Sequence, residues 1–288
     1  MTSLQRSAAS ALRGISQIFL AERAISGLLI LLAMALSSWR LAAHAVVGSL
    51  TQLALGAVLR EDGLRHGLMG YNGALVGAAA AASGAPLRVA VPLALVGAAA
   101  VIPLQRLFDH IPRVPAFTAP FCIVAGLLFG PFQGVWEASA PVTTDRLGPG
   151  LLSGFLDGFS EVVLADGILP GAIILTALAV ASLEVAAFAL LGSALGLAFA
   201  LVAHPSVEYV STGLLNYSTV LIAIAVGTVL WPRARWSARV VGAVVGVALT
   251  CAIQWVMSGL AVPTYTWPFV LAAWIFALLP PPPAAPQN

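Results

Sequence analysis

Laid over itself at an offset of 144 positions, the sequence repeats: Gly14 meets Gly158, and 18 of the 45 positions from Gly14 to Val58 are identical. A chain rich in Ala and Leu yields some matches by accident, so the rarer residues decide. Gly14/Gly158, Ser16/Ser160, Gly27/Gly171, Gly48/Gly192 and Ser49/Ser193 match in order. The offset drifts to 146 at Gly67-Leu68 over Gly213-Leu214, then to 148 where Val-Pro-x-aromatic-Thr-x-Pro-Phe at 114–121 meets 262–269. Drift of this size belongs to loops of unequal length. The chain is therefore two homologous units, each folding as a version of the other.

The medium around these units follows from hydropathy. Sixty per cent of residues are hydrophobic and 8% charged, where soluble domains carry roughly 25% charged residues, so no water-facing shell can be assembled. At ~20 apolar residues per span, 288 residues leave room for about ten. The ~10-residue alternation of an outer-membrane barrel is missing, and a helical bundle in lipid remains. Each half divides into one short and five long apolar segments: 14–21, then 25–39, 42–59, 67–83, 87–104 and 114–131; and 158–165, then 168–183, 185–203, 213–231, 239–258 and 263–280. Eight helical residues reach only ~12 Å of a ~30 Å hydrocarbon core, so the short segments read as re-entrant half-helices.

An odd number of spans per unit inserts the two units in opposite orientations. The charges agree. The chain has no Lys, so all 13 positive residues are Arg. With a cytoplasmic N-terminus, Arg6, Arg13, Arg60, Arg65, Arg106, Arg113, Arg233, Arg235 and Arg239 fall inside, with Arg23 at the re-entrant turn, and only Arg40, Arg88 and Arg146 fall outside, as the positive-inside rule requires. The expected fold class is an all-α integral membrane protein of two inverted-topology repeats, each of five transmembrane helices plus one re-entrant half-helix. Residues 1–131 form the first repeat with its cytoplasmic N-terminal segment, 132–157 an extracytoplasmic linker, 158–280 the second repeat and 281–288 a Pro-rich cytoplasmic tail. Such architectures place a substrate path at the repeat interface.

The strongest chemical signals are equivalent pairs. Gln17 and Glu161 follow the matched serines and put a polar group on each half-helix at membrane depth. Polar groups there are costly unless paired or facing a cavity; the alternative is that each hydrogen-bonds a neighbouring helix as packing glue. Thr118 and Thr266 lie between prolines, Pro115 and Pro120 in one copy, Pro263 and Pro268 in the other. Prolines inside a span free backbone carbonyls, which a hydroxyl can satisfy or leave while facing a pore; a membrane Thr also commonly bonds its own i−4 carbonyl. Gly73/Gly77, Gly192/Gly196 and Gly242/Gly246 have small-xxx-small spacing and read as helix-packing positions.

Together these segments resemble the urea transporter family, from about Gly14 to Leu279. The resemblance rests on Gly-Tyr-Asn-Gly-x-Leu-Val-Gly at 70–77, Pro-x-Phe-Thr-x-Pro-Phe at 115–121 with Pro-x-Tyr-Thr-Trp-Pro-Phe at 263–269, and Ser-Gly-Leu-Leu-Ile-Leu at 26–31. It implies a narrow slot with apolar walls edged by oxygens, one per subunit of a homotrimer, passing urea and close analogues across the cytoplasmic membrane. It further implies that Gln17 and Glu161 accept hydrogen bonds from urea at two sites, with Thr118 and Thr266 at the constriction between them. Tyr71, Leu75, Val162 and Leu20 would wall one site; Tyr217, Leu221, Ile18 and Leu164 would wall the other. Asn72 joins the contacts, and in the second copy Ser218 stands where the family has Asn. Leu20 and Leu164 replace a common Phe, as do Tyr71 and Tyr217.

Urea is flat, neutral and strongly hydrated, so a dry pore must replace its water with acceptors along one edge. Gln17, Glu161, the threonines and the half-helix carbonyls offer them. Coupling to H⁺ or Na⁺ is the alternative, and calls for several acids in the membrane where Glu161 alone is clearly at depth and Glu184 reads as a helix end. The missing lysine removes P-loop, Schiff-base and Ser-Lys chemistry. His44, His66, His110 and His204 are scattered, Cys122 and Cys251 lie singly in apolar runs, and no metal or acid–base motif forms. We expect no enzyme activity, no cofactor and no nucleic-acid partner. Residues 1–15 contain no apolar core of a cleaved signal, and the tail from Pro280 is not helical.

Overall fold

The computed structural model describes residues 3–132, 134–136, 140–141, 143–203, 206–260 and 263–284, with backbone alone at 3–7 and 65. His204, Val262 and the end of the tail lie outside these described residues. The first half runs α1 (Ser3–Gln17), α2 (Ala24–Ser37), α3 (Trp39–Val58), α4 (Tyr71–Ala82), α5 (Leu87–Asp109) and α6 (Ala119–Phe129). The second half runs α7 (Leu147–Ser160), α8 (Ile168–Ala181), α9 (Leu183–Ala203), the single turn α10 (Val207–Val210), α11 (Tyr217–Ile224), α12 (Trp236–Met257) and α13 (Trp267–Leu278). Apart from α10, the two series correspond element by element. No strand occurs among the described residues; one isolated bridge joins Ala234 to Ala284.

Among the described residues four helices, α3, α5, α9 and α12, are long and apolar enough to cross a bilayer, and α7 and α8 follow one another across a bend of 71°. The other apolar helices are shorter than the sequence segments containing them. Segments 114–131 and 263–280 do not become kinked spans, because their helices begin only at Ala119 and Trp267, with Pro120 and Pro268 in the first turn. Proline is tolerated there, where the missing N–H has no intrahelical partner. Segments 67–83 and 213–231 likewise become helical only from Tyr71 and Tyr217.

The half-helices are also longer than expected. Residues 14–21 and 158–165 are the C-terminal ends and turns of α1 and α7, which begin at Ser3 and Leu147. The expected linker, 132–157, therefore gives up its last eleven residues, 147–157, to a helix. Pro149 in its first turn and Gly148, Gly150, Gly154 and Gly158 lower its intrinsic propensity, and packing overrides that preference. Fourteen or fifteen residues reach roughly 22 Å, still short of the hydrocarbon thickness.

The repeated glycines mark where elements touch. A Cβ on Gly27 would collide with the carbonyl of Leu12, and one on Gly171 with that of Leu156, so α2 lies directly on α1, and α8 on α7. Gly67 and Gly213 have φ of 80° and 72° and press against the backbone of residues 13–14 and 157–158, a conformation and an approach that only glycine combines without strain. The halves meet through α2 against α8 and α6 against α13. Buried side chains of both halves join in one core. Charged groups pair at helix ends, Arg106 with Glu61 and Arg239 with Glu184, the latter in the first turn of α9.

Candidate functional site

Each half-helix ends in the same device. The N–H of Leu20 donates to Gln17 O at 2.9 Å and that of Ala21 to Ser16 O at 3.2 Å; in the second copy Leu164 donates to Glu161 O at 3.0 Å and Ala165 to Ser160 O at 3.1 Å. This is the paired bonding of a Schellman cap, which needs a left-handed residue at its centre, usually glycine. Here leucine occupies it twice, at φ 58° and 59°, a cost of roughly 1–2 kcal/mol each. The first cap is fastened by Ser16, whose hydroxyl donates to Ala21 O at 2.6 Å and accepts from Arg23 N at 3.1 Å.

The second structure shared by the halves is the pair of turns before α6 and α13. Phe117 and Tyr265 both have φ 41°, and their carbonyls accept from the hydroxyls of Tyr71, at 2.7 Å, and Tyr217. Asn72 spans the first turn, donating to Phe117 O at 3.1 Å and accepting from Phe121 N at 3.2 Å. Thr118 and Thr266 stand at the N-termini of the two helices without capping them. Their hydroxyls bond each other at 2.6 Å, linking residues 148 apart in sequence. Thr51, Thr176 and Thr228, by contrast, bond their own i−4 carbonyls. Aromatic rings frame the pair reciprocally: Phe117 lies 5.2 Å from Phe269, and Phe121 5.1 Å from Tyr265.

A cavity of about 450 Å³ opens on this centre from the second half, with Thr266, Glu161 and Tyr217 in its lining. Val162, Leu164, Phe121 and Tyr265 add apolar and aromatic wall. The cavity thus combines a carboxyl group, a hydroxyl and aromatic faces, a set suited to a flat polar solute. Val162 shares it with Tyr217, not with Tyr71 as the resemblance implies, because it lies in the same short 3₁₀ turn as Glu161.

The remaining expected residues are distributed otherwise. Gln17 does not line this cavity; its amide donates to His66 O at 3.0 Å, and His66 pairs with Glu22. Ile18, Leu75 and Leu221 are buried in the core, and Leu20 packs against it half-buried. Asn72 and Ser218 are fully buried and outside the cavity lining. Asn72 uses both ends of its amide to hold the Thr118 turn, whereas the Ser218 hydroxyl is too short to do the same and bonds to none of the described residues. Asn216 instead ties α7 to α9, through Gly154 O at 3.0 Å and the Ser193 hydroxyl at 3.1 Å. Sequence reasoning missed Phe121 and Tyr265 as walls, although both sit in the repeated motif. It also missed Asp157, 2% exposed and bonded to the Ser153 hydroxyl at 2.9 Å; its position four before Glu161, on the same helix face, was the available signal. Glu161 is therefore not alone among buried acids.

Comparison with known proteins gives one family. The family described as "Urea transporter" matches residues 8–281. Among curated proteins, Urea transporter 1 of Ovis aries is 27% identical, covering 93% of this chain and 76% of the relative. Urea transporter 1 of Capra hircus and of Rattus norvegicus are each 26% identical with the same coverage.

Proposed function

The chain belongs to the urea transporter family, and from that premise we propose that it conducts urea passively through a narrow path between two oppositely inserted halves. It is a multi-pass membrane protein and a transporter, not an enzyme. The observation that carries the channel reading is the convergence of Glu161, Tyr217 and Thr266 on one aromatic-walled cavity at the seam of the repeat.

Urea leaving water loses hydrogen bonds to four N–H groups and one carbonyl, a penalty of several kcal/mol unless replaced. A Glu161 carboxyl oxygen and the Thr266 hydroxyl supply acceptors along one edge, while Phe121 and Tyr265 accommodate the flat faces. The apolar and aromatic walls leave a hydrated ion oxygens on one edge only, too few to replace its shell. The tyrosine hydroxyls are occupied by the Phe117 and Tyr265 carbonyls, so both rings act chiefly as wall. The Thr118–Thr266 bond marks the constriction; passage requires the two hydroxyls to exchange each other for the solute. On the far side Gln17 offers its amide oxygen as the acceptor of the first copy. The reading includes a homotrimer in the cytoplasmic membrane with both termini cytoplasmic.

The test is urea flux by stopped-flow light scattering on proteoliposomes. Glu161→Leu should lower flux at least about tenfold, the loss of one hydrogen bond to a charged or polar solute, with the variant still folded; undiminished flux would reject the site. A proton-coupled reading draws on the buried Asp157 beside Glu161 on one helix face. It is separated by imposing a pH gradient without a urea gradient: passive conduction gives no net urea movement, and accumulation would replace it with coupling.

A further inference from the structure

Three cavities share Leu164 as a wall. One is the Glu161 cavity; the second, about 350 Å³, also shares Pro263 and Tyr265 with it; the third is a polar chamber of about 200 Å³ where α2 ends and α3 begins. Ser37, Ser38, Arg40 and Asp166 line this third chamber. The left-handed backbone of Leu164 projects its side chain to the meeting point of all three.

The chamber's chemistry is specific. Arg40 is held at one end, its Nη2 donating to Ala85 O at 2.9 Å, and Asp166 is held through its backbone, its N–H donating to the Ser37 hydroxyl at 2.9 Å. The two charged groups line one space yet form no ion pair among the described residues. Arg40 Nε has no partner there either. Asp166 also hydrogen-bonds the Glu161 side chain, so the one carboxyl group that lines the chamber is tied to the acid of the transport cavity and keeps its remaining lone pairs for a ligand.

We propose that this chamber is a staging site for urea, in which the guanidinium of Arg40 donates to the urea oxygen and the carboxylate of Asp166 accepts from its N–H groups. The site rests on the urea-conducting reading above and adds to it a place where solute exchanges water for protein before meeting Glu161. A guanidinium and a carboxylate held apart with two hydroxyls are complementary to a neutral ligand carrying both an acceptor and donors. An anion would satisfy Arg40 and be repelled by Asp166; a cation would meet the reverse.

The experiment is the concentration dependence of urea flux in proteoliposomes for the full chain and for Arg40→Gln and Asp166→Asn. Each variant should raise the half-saturating urea concentration about tenfold, as removal of one charged hydrogen-bond partner implies, by a larger factor than any fall in maximal flux. Since Arg40 also holds the Ala85 carbonyl, Asp166→Asn, which keeps the side chain's shape, leaves its backbone bond intact and can still hydrogen-bond Glu161 through its amide, is the variant that isolates binding from folding. An unchanged half-saturating concentration in Asp166→Asn, or a loss confined to maximal flux, overturns the proposal. So does a half-saturating concentration that shifts with chloride in the parent chain and loses that shift in Arg40→Gln, which would make the chamber an anion site. Glu161→Leu measured alongside separates the two readings: if it abolishes flux while both chamber variants match the parent, only the staging site fails.

Discussion

Tyr71 and Tyr217 occupy equivalent positions and make equivalent bonds, yet their hydroxyls are not equally important. The Phe117 carbonyl receives a second donor from Asn72, while Ser218, the counterpart of Asn72, cannot reach the Tyr265 carbonyl. Tyr71→Phe should therefore cost about 0.5–1.5 kcal/mol, one ordinary hydrogen bond, and Tyr217→Phe about 1–3 kcal/mol, since it leaves the partly buried Tyr265 carbonyl without its donor. Thermal unfolding in detergent ranks the two, and equal shifts would show that Asn72 does not share the load. The resemblance singled out these tyrosines as walls, but their partners were not legible, since a hydroxyl's acceptor depends on a turn that forms only in the folded chain. Glu161 and Thr266 were legible for the opposite reason: rare polar residues recurring at equivalent apolar positions have few ways to be accommodated in lipid. Asp157 escaped notice because its counterpart, Arg13, shares nothing with it except position.

Among the elements, glycine had different meanings that sequence spacing does not separate. Gly171 lies against the Leu156 carbonyl, whereas a Cβ on Gly126 in α6 would meet nothing within 4 Å. Gly171→Ala should cost about 3 kcal/mol or more, forcing α8 off α7, while Gly126→Ala should gain about 0.5–1 kcal/mol of helix stability. Folded yield and melting temperature of the two variants check the contrast; a stable Gly171→Ala protein would contradict the close packing of α8 on α7. The same ambiguity explains the misjudged linker. Glycines at 148, 150 and 154 look like loop until Gly154 is seen to admit the Val210 carbonyl beside α7, as Gly158 admits the Asn216 side chain. The Schellman caps were half legible: Ser16 and Ser160 recur, but no propensity assigns a left-handed backbone to leucine. The fold accepts that strain where Leu164 reaches three cavities.

For the whole molecule, the decisive relation is between the halves. Residue 117 touches 269 and residue 121 touches 265, and the 148-residue offset that joins Thr118 to Thr266 carries 117 onto 265 and 121 onto 269. Contacts exchanged in this way, i with j and j with i, are those of a two-fold relation. They support the proposed inversion when combined with the odd number of spans per half expected from the sequence and with the Arg bias, because a two-fold axis then has to lie in the membrane plane. The inversion makes a prediction that does not depend on transport. Position 60, after α3, and position 206, after the corresponding α9, are both exposed and should face opposite sides of the membrane. Cys122 and Cys251 are buried, so a cysteine introduced by Arg60→Cys or Ser206→Cys supplies the reactive thiol against little background. A membrane-impermeant maleimide added outside intact cells should label Ser206→Cys and spare Arg60→Cys until the membrane is opened. Labelling of both from one side would mean that the halves lie parallel. The half-helices would then enter from the same face, and no shared constriction could form between Glu161 and Gln17 at the membrane centre.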